Sequence, residues 1–445
     1  MTTRYLNQLN RTYENQTKLM EQSDGAKLHR PSDDPIGYSK YLRYSISYGE
    51  NNQYQSNVKT AISWMKNSDS SLLDITNCFK TVVEKANQAQ GTNTDADMKA
   101  IAQEMLVQVQ QSVADANIQI NGRYLFSGQR DLVQPYNISY DVKAKRGMTK
   151  TLDDKQTEFF SGGNNGPAKS GNLCQMLALK DSDGNTYFMN TISGDIYTED
   201  FVEEGYKAIM SDPAAMSDPN YLTGKQVGTS STFASNKVHH YFNEYGVINS
   251  EGEGFHETVT IGGVARTVEL ATVEQYIVSY QGDRKQFSMV KENGAVQPAT
   301  DTVNASGTEI AGCDIFDNDQ AYAVGDYHGP SGAAAFNDML TVVAMCEAGA
   351  DKGSRWMSSD GKTLANNSYD VVLNAESKLA ARQQVYSDCE DMLTTQNETI
   401  LGDITDVHST DVAKLAVEMM TAQTIYQLSL SVGSRILPPT LADYL

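Results

Sequence analysis

Residues 36–90 carry apolar side chains at a spacing that only a long helix satisfies. Tyr44, Tyr48, Asn51, Gln55, Val58, Ile62 and Met65 step by alternating fours and threes. After a polar interruption at Ser68 and Asp69, Leu72, Ile75, Phe79, Val82, Ala86 and Ala89 continue the same rhythm. No proline or glycine falls between Asn51 and Gln90. Such a helix would reach about 80 Å. A stripe sustained at that spacing needs a partner helix along its length.

The flanking segments read as further helices. Leu6, Leu9, Tyr13 and Met20 give residues 5–20 a thin apolar face, and Gly25 is placed to cap the C-terminal end of that helix. Asp34 before Pro35 signals the start of the long helix, with Asp33 adding charge near its positive end. Gly91 to Asp95 predicts a turn. A second helix is expected to run to about Ile120, with Met98, Ile101, Met105, Val109, Val113, Ala116 and Ile120 on one face. The two would form an antiparallel hairpin ended by Asn121-Gly122.

From Leu132 to Ser331 the pattern changes to short apolar runs among Gly, Asn, Asp, Ser and Thr. Thr258–Ile261, Gly262-Gly263 and Val264–Leu270 predict a tight hairpin. Asp183-Gly184 between Met176–Leu179 and Tyr187–Met189 predicts another. Glu274–Val278, Gln286–Val290 and Ala295-Val296 after Asn293-Gly294 read as more strands, and Glu199–Met210 as a short helix.

Helical spacing returns at Ser331, with Ala335, Met339, Val343 and Cys346 on a helix ended by Gly349. A loop from Asp351 to Asn367 is expected before the run Val372, Ala375, Leu379, Arg382, Tyr386, Cys389, Leu393, Gln396, Ile400 and Ile404. Ser409-Thr410-Asp411 offers caps for a last helix along Leu415, Met419, Ala422, Tyr426 and Ile436, stopped by Pro438-Pro439. The fold class is therefore α+β. An elongated helical coiled-coil bundle is built from both the N- and C-terminal segments, with the 36–90 stripe packed on the 372–404 stripe. A β-rich middle domain is inserted at 132–331.

Composition narrows the function. A formal charge of −21 and a pI near 4.7 argue against nucleic acid, whose phosphates need excess Lys and Arg. No window is long and apolar enough for a membrane-spanning helix. The N-terminal MTTRYLNQLN carries no signal-peptide pattern, so any export would read something else. Cys78, Cys174, Cys313, Cys346 and Cys389 lack metal-ligand spacing and fit no disulfide framework. The 162–170 stretch lacks the glycine a phosphate loop needs before its lysine. His239, His240 and His256 have no shared helix face. Asp181 with Asp183, and Asp314, Asp317 and Asp319, are carboxylate clusters outside any calcium-loop pattern. These observations point to no catalytic site, no metal and no cofactor.

Tyrosines Tyr5, Tyr13, Tyr38, Tyr41, Tyr44, Tyr48 and Tyr54, with Tyr426 and Tyr444, crowd the two ends of the chain. Tyrosine suits subunit interfaces, because it buries a large apolar body and tolerates a wet hydroxyl.

Four pieces together carry a family resemblance: Pro31-Ser32-Asp33-Asp34-Pro35 before the long helix, Gly122-Arg123-Tyr124-Leu125-Phe126-Ser127-Gly128 after the hairpin, helical ends around a β-rich insert, and the ending Leu441-Ala442-Asp443-Tyr444-Leu445. The chain resembles the flagellin-like axial proteins of the bacterial flagellum, and within them the hook-associated protein 3 family of hook–filament junction proteins. The Gly122–Gly128 segment and the Asp-Tyr-Leu ending favour the junction family. A flagellin would show an Asn-rich segment leading to Phe-Asn-Gly there and a Leu-Leu-Arg-like end; a divergent flagellin is the alternative. Pro438-Pro439 departs from the family, which continues helically.

The resemblance implies an extracellular structural subunit, not an enzyme, in the bacterial flagellum. It would be exported unfolded through the type III export apparatus with an export chaperone, and secreted without a cleaved signal. Residues 1–35 and 405–445 would form the inner tube layer, 36–131 and 332–404 the rod, and 132–331 the outward insert. Copies would form a ring between hook-associated protein 1 and flagellin, with no nucleic acid and no membrane insertion. Leu6, Leu9, Tyr13, Tyr41, Tyr44, Tyr48, Leu415, Met419, Tyr426, Tyr444 and Leu445 are the expected assembly residues.

Overall fold

The computed structural model describes residues 2–161, 174–218, 220–230, 238–283, 285–287, 302–316, 331–350 and 355–436. Long helices dominate both ends: α1 (Thr2–Glu21), α2 (Pro35–Ala89) and α3 (Asp95–Ala116) come first. Pro35 begins α2, and Asp34 Oδ1 accepts from the amides of Ile36 at 3.1 Å and Gly37 at 3.0 Å. Asp33, expected to add charge near the positive end of this helix, also bonds to the backbone of the preceding turn. Its Oδ2 accepts from the amides of His29 at 3.2 Å and Arg30 at 3.0 Å, bracing the turn before it. Thr94 and Asp97 form a reciprocal capping box at the start of α3.

α3 ends at Ala116, short of the expected Ile120. The Asn117 side chain exchanges two hydrogen bonds, each 2.9 Å, with the backbone of Tyr136 and turns the chain out of the helix. Ile120 then lies in β1 (Gln119–Ile120), which pairs with β2 (Arg123–Tyr124). Asn121 and Gly122 adopt positive φ of 53° and 77°. That left-handed pair makes a two-residue hairpin turn, so Asn-Gly here turns a hairpin instead of terminating a helix.

The middle of the chain supplies β3 (Tyr136–Ile138), β4 (Ala144–Gly147), β5 (Thr149–Lys150), α4 (Asp154–Phe160), β6 (Met176–Asp181), β7 (Thr186–Asn190) and β8 (Asp195–Thr198). A π-turn at Phe201–Gly205 leads into α5 (Tyr206–Met210), followed by α6 (Pro213–Met216), β9 (Gly228–Thr229) and α7 (Val238–Tyr241). Then come β10 (His256–Ile261), β11 (Val264–Leu270), β12 (Thr272–Gln275), β13 (Val278–Tyr280) and α8 (Gly307–Ala311).

Both expected hairpins are present: Ile261 pairs with Val264 across Gly262-Gly263, and Lys180 with Thr186 around Gly184. The expected strand Glu274–Val278 is instead two, β12 on β4 and β13 on β3. Gln286 and Phe287 belong to no strand, and 288–290 and 293–296 lie outside the described residues.

The main sheet is antiparallel in the order β10-β11-β6-β7-β8-β9, with β5 also on β6. The amide of Thr260 in β10 donates to the carbonyl of Val227, just before β9, at 2.8 Å. The two edges therefore meet and the sheet curls towards a barrel, protecting edges that would otherwise pair with other chains. Leu177, Leu179, Met189, Ile196, Val259 and Val268 fill the inside with Phe242 and Phe316. Met176, Ala178, Phe188 and Tyr197 pack the other face against Phe159, Phe160 and Tyr206.

The last helices are α9 (Ala334–Glu347), α10 (Lys362–His408) and α11 (Val412–Ile436). Of the loop expected at 351–367, residues 351–354 lie outside the described residues and 355–367 are helical: a π-turn at Met357–Gly361 feeds directly into α10. Burial of Met357, Leu364 and Ala365 favours the helical form there.

The chain divides into two compact units, one of Met1–Ala61 and Tyr386–Leu445, the other of Ile62–Val385. In the second unit the opening stripe is core: Met65, Leu72, Ile75, Phe79, Val82 and Ala89 have no exposed surface. Phe79 meets Phe336 of α9 edge-on, with ring centroids 5.5 Å apart. The β-rich segment shares this unit and is joined to its helices by buried polar side chains. Asn337 of α9 donates to and accepts from the backbone of Val278 at 3.0 and 2.9 Å. Buried Arg146 of β4 reaches Asp314, Asp338 and Thr341, and buried Lys150 of β5 pairs with Glu203 and with Asp360 of the π-turn.

Gly128 closes the Gly122–Gly128 segment at φ 63°, where an added Cβ would strike the carbonyl oxygens of Asp283 and Lys285. Gly128→Ala is expected to destabilise this unit by about 1–3 kcal/mol. Both tryptophans, Trp64 and Trp356, belong to the unit, so urea unfolding followed by tryptophan fluorescence reads it directly. An unchanged midpoint would refute the strain.

Candidate assembly surface

The first unit is built on two helix pairs. α1 packs along α11. The half-buried residues of α1 are Tyr5, Leu9, Thr12, Gln16 and Leu19; on α11 the corresponding line is Leu415, Met419, Ala422, Tyr426, Ser429 and Gly433. Both step by alternating fours and threes, which is the seam of a coiled coil. The pair is antiparallel. The Tyr5 hydroxyl donates to the Ser429 carbonyl, the Tyr13 and Tyr426 rings lie 6.1 Å apart, and Gly433 leaves room for Tyr5. In the other pair, Asn51 of α2 donates to the Leu393 carbonyl of α10 at 3.1 Å, and Lys59 lies 3.8 Å from Glu390. Between the pairs, Gly25 takes φ 89°, and the backbone of residues 25–27 bonds to that of His408 and Thr410.

These seams bury little. Leu28, Val58, Ala61, Tyr386, Leu393 and Leu415 are the buried apolar side chains of this unit among its described residues. Far more large apolar side chains face outward. Leu6, Tyr13 and Met20 follow one another at seven-residue intervals along α1 and are all about half exposed. On the side of α11 turned away from α1, Val417, Met420, Leu428 and Val432 are exposed, Met420 to 70%. Among the described residues α11 is thus apolar both on the side facing α1 and on the side turned away from it.

The described residues among those expected for assembly lie on α1 and α11 or on α2. Leu415 is buried in the α1–α11 seam, and Leu9, Met419 and Tyr426 are half-buried there. Leu6 and Tyr13 are exposed beside it. Tyr41 is half-buried and stacks on His408, with centroids 4.2 Å apart, while Tyr44 and Tyr48 are half-buried along α2. Tyr444 and Leu445 lie outside the described residues.

The two sequence motifs have structural roles. Pro31 and Ser32 lie in the turn that Asp33 braces before α2. In the second unit, Arg123 pairs with Asp131 at 2.8 Å, Leu125 and Phe126 are wholly buried, and the Ser127 hydroxyl donates to the Val133 carbonyl at 2.6 Å. Sequence reasoning missed the buried polar residues Asn51, Arg146, Lys150 and Arg382. Asn51 and Arg382 stood on apolar stripes, which was the available signal. Arg382 is held by Glu309 and Thr302.

The candidate chemical clusters resolve into structural pairs. Asp181 and Asp183 both pair with Arg266, at 2.8 and 2.9 Å. Asp314 pairs with Arg146, and His240 with Glu251. Asp317, Asp319 and the 162–170 stretch lie outside the described residues, as does the His239 side chain; His256 is exposed. Among the described residues no group of three or more His, Cys, Asp or Glu is placed to hold a metal ion, and no helix is long and apolar enough to cross a membrane.

The carboxyl of Asp181 is held well below the usual carboxylate range, first by the Asn185 side chain and then by the Arg266 guanidinium. A carboxyl with a depressed folded pKa stabilises the fold above its unfolded pKa of about 3.9, and that contribution is lost as pH falls. Asp181→Asn is therefore expected to flatten the acid side of the stability–pH curve below about pH 4. Urea midpoints at stepped pH check this, and an unchanged acid slope would contradict it.

Comparison with known proteins finds likenesses to part of this chain. Residues 1–131 match the bacterial flagellin N-terminal helical region. Phase 1 flagellin of Salmonella naestved is 27% identical over 162 residues, covering 36% of this chain and 31% of that protein. The chain thus spans about a third of the length of the flagellins it matches. Among solved structures, flagellar hook-associated protein-3 from Legionella pneumophila aligns at 11% identity and TM-score 0.38, over 82% of this chain and 98% of that one. The flagellar junction protein FlgL from Legionella pneumophila aligns at 12% and 0.37, over 83% and 100%. Residues 1–131, comprising α1, α2, α3 and the β1–β2 hairpin, are thus the part of this chain that is similar to a bacterial flagellin N-terminal helical region.

Proposed function

We propose that this chain is a structural subunit of the bacterial flagellum that joins hook to filament, assembling outside the cell from an exported monomer. The observation that carries the reading is the incomplete first unit: a flagellin-type N-terminal helix pairs with the C-terminal helix through a thin seam and leaves a second apolar face open. Apolar surface of that extent favours a layer shared between subunits. Its neighbours in this reading are copies of itself in a ring, hook-associated protein 1 on one side and flagellin on the other. A chaperone would shield the exposed faces before passage through the type III export apparatus. Residues 1–35 and 405–445 form the inner layer.

The Gly122–Gly128 segment favours a junction subunit over a divergent flagellin. A strain lacking the gene should build hooks but shed flagellin into the medium; intact filaments would defeat the proposal. Long filaments formed by the purified protein alone would support the flagellin alternative.

A further inference from the structure

The charges of the first unit are sorted by helix. Residues 386–408 contain Asp388, Glu390, Asp391, Glu398, Asp403 and Asp406 and no Lys or Arg. Within this run Asp391, Glu398 and Asp406 are exposed and follow at intervals of seven and eight residues. They lie on the side of α10 opposite Leu393, which faces α2. On α1, Arg4, Arg11 and Lys18 follow at intervals of seven, are exposed, and lie away from the Tyr5–Leu9–Thr12–Gln16–Leu19 seam. Each stripe therefore repeats about every 10 Å along its helix.

The ion pairs of this unit do not use these stripes, apart from an exposed contact of 3.7 Å between Lys18 and Asp33. The remaining pairs are His29 with Asp24, Arg30 with Glu21, Lys59 with Glu390 and Lys414 with Glu418. Arg4, Arg11, Asp391, Glu398 and Asp406 have no ion pair among the described residues. Glu14 is the one unpaired acid on α1 among those residues, and it leaves the helix net positive on its outer side.

Resting on copy-to-copy assembly as proposed above, we infer that the Arg4–Arg11–Lys18 stripe of one copy docks on the Asp391–Glu398–Asp406 stripe of the next. The occupant is a second copy because the two stripes match in sign and repeat. The two faces differ, so the contact is heterologous: each copy offers one face and receives the other. Such a contact closes into a ring or winds into a helix instead of stopping at a dimer. The charges fix register and speed encounter, while the apolar faces supply adhesion.

The test uses the full-length chain in sedimentation velocity at about 0.05 M and about 0.5 M salt. Arg4→Glu/Arg11→Glu and Glu398→Lys/Asp406→Lys change exposed residues only, and circular dichroism monitors their helices. Each double variant alone should associate at least tenfold more weakly than wild type at low salt. An equimolar mixture of the two should co-assemble, because each then carries the charge the other needs. Wild-type association with both variants equally competent would overturn the charge docking alone. A mixture no better than its components would do the same. A wild-type chain that stays monomeric at every concentration would overturn copy-to-copy assembly and this docking with it.

Discussion

Arg146→Ala is expected to destabilise the second unit by about 3–5 kcal/mol, among the largest single-residue effects in this chain. The guanidinium is 2% exposed. It meets Asp314, lies 3.1 Å from Asp338, donates to Thr341 at 2.8 Å and stacks over Phe316. Burial pushes the Asp338 carboxyl up even though the Arg146 cation beside it pulls the other way. Without the arginine, both carboxylates would be left without their compensating cation. Replacing Arg146, Asp314 and Asp338 together by apolar residues of similar volume should recover much of the loss, since the ion cluster ties β4 to α9 more by specificity than by net energy. Urea unfolding read by tryptophan fluorescence measures both variants. A single-variant loss under about 1 kcal/mol would show that water or neighbouring groups already compensate the acids.

The second large effect is expected at Leu415. Leu415→Glu should abolish assembly while leaving tryptophan fluorescence and the unfolding midpoint of the second unit unchanged. Leu415 is the one buried large apolar side chain on the α11 side of the α1–α11 seam among the described residues. A carboxylate there would be desolvated with no cation opposite it. The seam has no surplus to absorb that: its other members include Thr12, Gln16, Ala422 and Ser429. Hydrogen exchange over residues 2–21 and 412–436 checks the cause. The thin seam predicts rapid exchange there already in the wild-type monomer and slowing on assembly. Slow exchange before assembly would mean that the pair is stable alone, and the variant would then need another explanation.

The regular helices were legible in the sequence because their stripes keep a strict period over many turns. Asp34-Pro35, Thr94 with Asp97 and Asp411 are caps that work at short range and need no tertiary knowledge. Asp183-Gly184 and Gly262-Gly263 were equally readable, since each fixes a turn by its own backbone. The failures have a common physical origin in distant partners. Asn117 ends α3 because Tyr136 is opposite it, and residues 355–361 are helical because Lys150 and the core behind them hold that turn. Lys145 and Arg146 look like neighbouring surface charges in the sequence. Strand alternation sends one outward and the other into the core. The first unit was legible as thin apolar stripes on its helices. The sorting of its charges by helix became visible only once the seams identified the outward sides.

The first unit is assembled from the two extremes of the chain, with residues 62–385 between them. The contacts that join its two segments therefore have very high sequence separation. Loop-closure entropy grows only slowly with length, so the equilibrium penalty of that long interval is modest. Its kinetic meaning is larger. α1 is made before residues 62–385 and its partner α11 after them, so during synthesis α1 waits for that whole interval. Contacts of this kind form late and open early. A truncation directly after Val385 would leave the second unit's residues complete and remove from the first unit the whole segment against which α1 and the start of α2 pack.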